Sequence, residues 1–108
     1  MLGRTDGGDS LGYDFEVDTG ATRRLYEVKT SAGEEWQFAL AESEVREAQR
    51  ASADKRVRFR IIFVSMALDS ERRRLWVLPN PFSSRGAQRL RMIGAGMRFR
   101  FEPAEDGG

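Results

Sequence analysis

The chain contains no cysteine and no histidine. Without thiolates or imidazoles, the usual zinc sites, disulfides, thiol nucleophiles and His-based triads are excluded, and any chemistry falls to carboxylates, Lys, Ser and Tyr. No apolar run reaches the roughly 18 residues of a membrane helix, and the first residues carry no apolar signal region. A cytoplasmic setting with no membrane partner is the expectation. There is no internal repeat, no heptad pattern and no phosphate-cradling glycine loop. Gly94-Ala95-Gly96 reads as a turn. At 108 residues one core is expected, burying roughly 60 to 70% of the chain's surface. The reading is a flexible segment at 1–10, a single domain at 11–102 and a disordered tail at 103–108.

Charge is scarce in net terms and segregated along the chain. Residues 1–54 hold 6 basic and 12 acidic side chains, residues 55–100 hold 12 and 2, and residues 101–108 add three acids. Within the basic stretch every cation after Lys55 is Arg, a side chain that stays charged and grips phosphate with two parallel hydrogen bonds. Arg56, Arg58, Arg60, Arg72, Arg73 and Arg74 are the candidate nucleic-acid contacts, with DNA ahead of RNA. The plainer reading is a compositional preference for Arg, since 16 of the 18 basic residues are Arg.

The acidic half carries a hairpin pattern. Tyr13, Phe15 and Val17 alternate with Asp14, Glu16 and Asp18, and alternation resumes over Leu25 to Lys29 after the turn at 18–22. With Gly20-Ala21 as the central residues of a II′ turn, paired residue numbers sum to 41, so Asp18 faces Arg23, Glu16 faces Leu25 and Asp14 faces Glu27. Opposed carboxylates cost about 0.2 to 1 kcal/mol without a cation. Lys29 shares the face of Glu27 because strand side chains repeat every two residues. Asp14, Glu27 and the Val28 carbonyl therefore offer oxygen ligands for Mg2+ or Mn2+, with Lys29 beside them. The plainer reading is a solvated acidic face, and a one-residue slip in register would part the two acids.

The motif Gly12-Tyr13-Asp14, followed by Tyr26-Glu27-Val28-Lys29-Thr30-Ser31, resembles the protein NO VEIN C-terminal domain family. Phe38 to Glu44 looks like its helix entry and Asn80-Pro81 like its closing element, so the resemblance runs from about Gly12 to Pro81. It implies a restriction-endonuclease-like α/β fold, a mixed sheet with flanking helices, and similarity to nucleases with a PD-(D/E)xK site. That signature maps onto Asp14, Glu27 and Lys29, with Tyr13 in place of Pro. Such folds begin with a helix, for which the glycine-rich residues 1–10 are unfit. The resemblance therefore implies a piece of a larger protein or a layer completed by another element. Its implied activity is metal-dependent phosphodiester hydrolysis. Lys29→Ala should then abolish cleavage and leave folding nearly unchanged. The rival is a catalytically silent nucleic-acid or protein-binding module of a DNA-processing or defence protein, and a third reading is a purely structural interaction domain.

Elsewhere, Leu40 to Ser52 reads as a helix with Ala41, Val45, Ala48 and Ser52 on its packed face. Glu44 could reach the acidic patch, although a surface Glu favoured by the helix dipole is the simpler expectation. Arg58 to Ala67 reads as a central strand buried on both sides, and Arg74 to Leu78 as a further strand ended by Pro79 and Pro81. Trp76 reads as packing rather than a base platform. Ser83 or Ser84 caps a short helix reaching about Ile93, and Met97 to Phe101 reads as an edge strand through which two copies could pair.

Overall fold

The computed structural model describes residues 12–94 and 96–103. The expectations for 1–10 and for the tail after Pro103 lie outside these residues. Seven strands and two helices follow one another as β1 (Phe15–Asp18), β2 (Arg23–Thr30), β3 (Gln37–Ala39), α1 (Glu42–Ser52), β4 (Val57–Ser65), β5 (Arg74–Leu78), α2 (Ser84–Arg89), β6 (Arg91–Ile93) and β7 (Arg98–Arg100). They form a mixed four-stranded sheet in the order β1-β2-β4-β5 and an antiparallel three-stranded sheet in the order β3-β7-β6. The fold is thus a small α/β fold, as its strand and helix patterns imply. No helix among the described residues is long and apolar enough to cross a membrane.

The β1–β2 hairpin has the expected register, with Phe15 opposite Tyr26, Glu16 opposite Leu25 and Asp18 opposite Arg23. Gly20 adopts φ +89° at the first central position of the turn, which only glycine takes without strain. The Arg23 side chain reaches diagonally to Glu16, at 3.2 Å. β2 then pairs in parallel with β4, Glu27 opposite Ile61 and Lys29 opposite Phe63. Parallel neighbours require a crossover, supplied here by β3 and α1.

Both α1 and the second sheet pack on one face of the four-stranded sheet. Leu25, Phe59, Ile61 and Phe63 line that face and are almost wholly buried. Phe63 meets the Phe101 ring edge-on at 5.1 Å and the Phe38 ring at 6.3 Å, so aromatic contacts join the two sheets. α1 presents Ala48 and Ala51, whose small side chains let it lie close to β4. Its packed stripe is Glu44, Ala48 and Ala51 with Val45 half-buried, whereas Ala41 and Ser52 face outward. Val45 and Ala48 lie on it as expected, while Glu44 and Ala51 take the places expected for Ala41 and Ser52.

Three other expectations are corrected. β4 is buried on one face only: Ile62 and Val64 are half-buried, and their neighbours Val28, Leu75 and Val77 are exposed. Periodicity shows which residues are apolar, but not whether a layer exists to cover them. The short helix ends at Arg89, and Arg91–Ile93 is instead a strand. β7 has β3 on one side and β6 on the other, so it offers no free edge for pairing between copies. Ser83 does cap α2, its hydroxyl accepting from the Gly86 N–H at 3.0 Å. Trp76 lies in the core with 2% exposure, as packing requires.

Candidate acidic site at the β1–β2 edge

Gly12 opens the site. Its φ is +76°, and a Cβ there would lie 2.4 Å from the Ser43 carbonyl oxygen, so only glycine lets the chain pass this close to α1 before entering β1. Tyr13 follows and donates its hydroxyl to Glu16 at 2.9 Å. Asp14 then leaves the regular ladder, which ends at Phe15, so the expected pairing of Asp14 with Glu27 is not formed. Its backbone N–H donates to the Tyr26 carbonyl at 2.8 Å and its carboxylate accepts from the Val28 N–H at 2.7 Å. Asp14 thereby brackets Glu27 through the residues on either side of it. The Val28 carbonyl points to the same strand edge as its N–H, as strand geometry dictates.

Glu27 is 5% exposed. Lys29 Nζ lies 3.3 Å from its Oε2 and 2.9 Å from Glu44 Oε1, tying β2 to the first turn of α1. Glu44 has a second task. Ala41 stands at the N-cap without a side-chain acceptor, and Glu44 reaches back to accept the Ala41 N–H at 2.8 Å, one half of a capping box. Glu44 is therefore a buried member of the cluster rather than a surface residue. The N3 position of the helix, three residues past a hydroxyl-free cap, was the signal available in the sequence.

The electrostatics follow from this crowding. Burial, a hydrogen bond to Glu44 and the nearby charges of Glu44 and Asp14 push Glu27 up to about 8 against the pull of Lys29. Glu44 behaves oppositely. Burial works to raise it, but hydrogen bonds from the Ala41 N–H, Lys29 and Glu27 outweigh that and hold it below the usual carboxylate range. The two carboxyls share a proton that resides on Glu27. Burial opposes the charge on Lys29, yet hydrogen bonding to Glu44 and the two carboxylates keep its pKa above normal, so it is a cation at neutral pH.

The donor set suits a hard cation. Among the described residues no group of three or more acids is placed so that it could hold a metal ion. Mg2+, however, is commonly held by one or two carboxylates with the rest of its shell water. Asp14 and Glu27 are the two carboxylates at this edge, and Glu27 is raised first by its burial and then by the acids beside it.

The six candidate arginines are not brought together. Arg56, Arg58 and Arg60 lie at the start of β4, and Arg74 stands opposite Ser65 at its far end, about 23 Å from Arg58 at the strand's rise per residue. Arg58 and Arg60 alternate out of phase with buried Phe59 and Ile61, so they lie on the sheet face opposite Glu27. Arg72 approaches Glu34 at 3.9 Å, Arg73 donates to the Ala67 carbonyl at 3.1 Å, and Arg74 lies over the Trp76 ring at 5.4 Å. The geometry also weighs against a neutral outcome for Lys29→Ala, because the change would strand two buried carboxyls.

Fold and cluster together define a small α/β domain with an acid–lysine cluster at a hairpin edge. The chain belongs to the family described as Protein NO VEIN, C-terminal, whose model matches residues 3–77. Asn80-Pro81 falls beyond that match. Asn80 nonetheless has a structural task here: buried, it donates to the Ala48 carbonyl at 2.7 Å and pins α1 to the end of β5. No curated protein and no solved structure matches the chain.

Proposed function

We propose that the chain is a metal-dependent phosphodiester hydrolase acting on nucleic acid, with its site at Asp14, Glu27 and Lys29. The observation that carries this is the Lys29–Glu27 contact at 3.3 Å on the strand that Asp14 grips through the Val28 N–H, the three positions to which the PD-(D/E)xK signature maps. The hairpin, the crossover through α1 and the parallel return to β4 are compatible with a restriction-endonuclease-like arrangement.

Asp14, Glu27 and the Val28 carbonyl would hold Mg2+ or Mn2+. When bound, the metal supplies polarisation of the phosphate and a lowered pKa for its water. The chain's own contribution centres on Lys29. Held protonated beside Glu27 and Glu44, it orients the attacking water and stabilises the negative charge gathering on the phosphate oxygens rather than accepting a proton. Glu44 fixes the ammonium in place. Burial of Glu27 strengthens each of these interactions by excluding water.

A second reading, a silent binding module, draws support from how completely the cluster satisfies itself. Lys29 is taken up by Glu27 and Glu44 and one Asp14 oxygen by Val28, and clefts elsewhere on the surface, such as those beside Trp36 and beside Arg58, are lined by other residues. Calorimetric titration with Mn2+ alongside plasmid nicking separates the two. The hydrolase binds Mn2+ with proton release, nicks the plasmid, and loses both in Glu27→Gln. Absence of metal binding in the wild type refutes the hydrolytic reading.

A further inference from the structure

We propose that a cleft at the free edge of β4 binds single-stranded nucleic acid, its phosphates held by Lys55, Arg58, Arg60 and Arg85 and its bases laid on the Phe15–Tyr26 ring pair. β5 pairs with β4 only from Ile61 onward. The edge of residues 57–60 away from β2 consequently has no strand partner among the described residues, and a cleft of about 520 Å3 opens there between the end of α1, the start of β4 and the start of α2. Four cations line it against one acid, Asp54. That carboxylate already accepts the Arg56 N–H at 2.9 Å. None of the four cations enters an ion pair among the described residues. Like charges gathered in a concavity without counter-charge concentrate a field that attracts polyanions, and Arg matches phosphate geometry.

The register supplies an independent observation. Phe15 stands opposite Tyr26 in the hairpin, and Tyr26 stands opposite Arg60 in the parallel ladder. One row thus runs Phe15–Tyr26–Arg60 across the sheet face opposite α1 toward the cleft. The two rings stack at 4.9 Å with planes 18° apart, and both side chains are half-buried, leaving them partly open to solvent. An unpaired base can stack on such a surface, whereas duplex bases are already stacked on each other. This chemistry selects a single strand over a duplex and over free phosphate. The cleft lies at the opposite end of α1 from Glu44, and the 11 residues of that helix span about 16 Å. It is therefore separate from the acidic site. The inference goes beyond the hydrolytic reading and stands without it, because a silent module would use the same surface.

The test is fluorescence anisotropy of a labelled oligothymidylate with the full chain in EDTA, where cleavage plays no part. The single strand should bind with an affinity that falls steeply with salt and exceeds that of a duplex of equal length. Arg60→Ala combined with Arg85→Ala should weaken binding about tenfold or more and flatten the salt dependence by about one unit of slope per residue. Tyr26→Leu should weaken oligonucleotide binding about tenfold and leave inorganic tripolyphosphate binding unchanged. Should Tyr26→Leu fail to fold, the exposed Arg85→Glu keeps the test readable through a similar loss. Unchanged affinity in the Arg60/Arg85 double variant, or preference for the duplex, overturns the proposal. So does equal loss of both ligands in folded Tyr26→Leu, which would indicate a plain polyanion pocket. Failure of Mn2+ to bind the acidic site would leave this result untouched.

Discussion

Lys29 and Glu44 meet at 2.9 Å across the gap between β2 and α1. Because Glu44 also closes the N-terminus of α1 by accepting the Ala41 N–H, the ammonium of the candidate site is held by the same carboxylate that starts the helix. Site geometry and helix placement are thus coupled through one side chain, and substitutions here should register in stability as well as in chemistry.

The first consequence concerns pH. Glu27 has a pKa of about 8 in the folded chain against an ordinary 4.5, so the folded state binds more protons than the unfolded one between those values. Its stabilising contribution is complete below the unfolded pKa and is lost as pH rises through about 8. Glu44 has the opposite sign, and its contribution fades only as pH falls through its lowered folded pKa, outside this window. In metal-free buffer the Tm of the wild type should fall as pH is raised from about 5 to about 8, and Glu27→Gln should flatten the slope. Thermal melts followed by circular dichroism decide it. A wild-type Tm that is level or rising across the interval rules the assignment out.

Removing Lys29 has a different signature. Lys29→Met keeps most of the side-chain bulk but leaves Glu27 and Glu44 without their shared cation, at a cost of about 1 to 3 kcal/mol. The loss should grow with pH, because Glu27 carries a proton at about pH 6 and is charged at about pH 9. Urea denaturation at both pH values measures this. An unchanged midpoint at the higher pH would mean that the ammonium has no structural share.

The glycine that begins the site gives a third test. Gly12 and Gly20 both have positive φ, but a Cβ at Gly12 meets the Ser43 carbonyl oxygen at 2.4 Å, while at Gly20 nothing lies within 4 Å. Gly20→Ala should cost only the left-handed strain, about 1 to 2 kcal/mol. Gly12→Ala adds a clash with rigid backbone and should cost about 1 to 3 kcal/mol more. It should also lower Mn2+ affinity by shifting Asp14, an effect Gly20→Ala lacks. Equal Tm losses in the two variants would show that the close approach is not essential.

Much of this was legible in the chain itself. Alternation fixed the strands of the hairpin, Gly20 fixed its turn, and with period-2 side chains those two facts suffice to set which residues oppose one another. The central apolar run and the proline-ended strand after it were equally plain, because each is a local pattern. Only the tertiary structure decided the rest. Asp14 steps out of the ladder to bracket Glu27 because the chain is drawn toward α1 at Gly12, and Glu44 becomes a buried partner because the crossover lays the helix start over Lys29. The arginines at 56–60 and at 72–74 lie toward opposite ends of β4, while Lys55 and Arg85, 30 positions apart, come to line one cleft. Local periodicity specifies which way a side chain points relative to its own strand. Which element arrives opposite it depends on long-range packing, and that is where both the acidic site and the basic cleft are made.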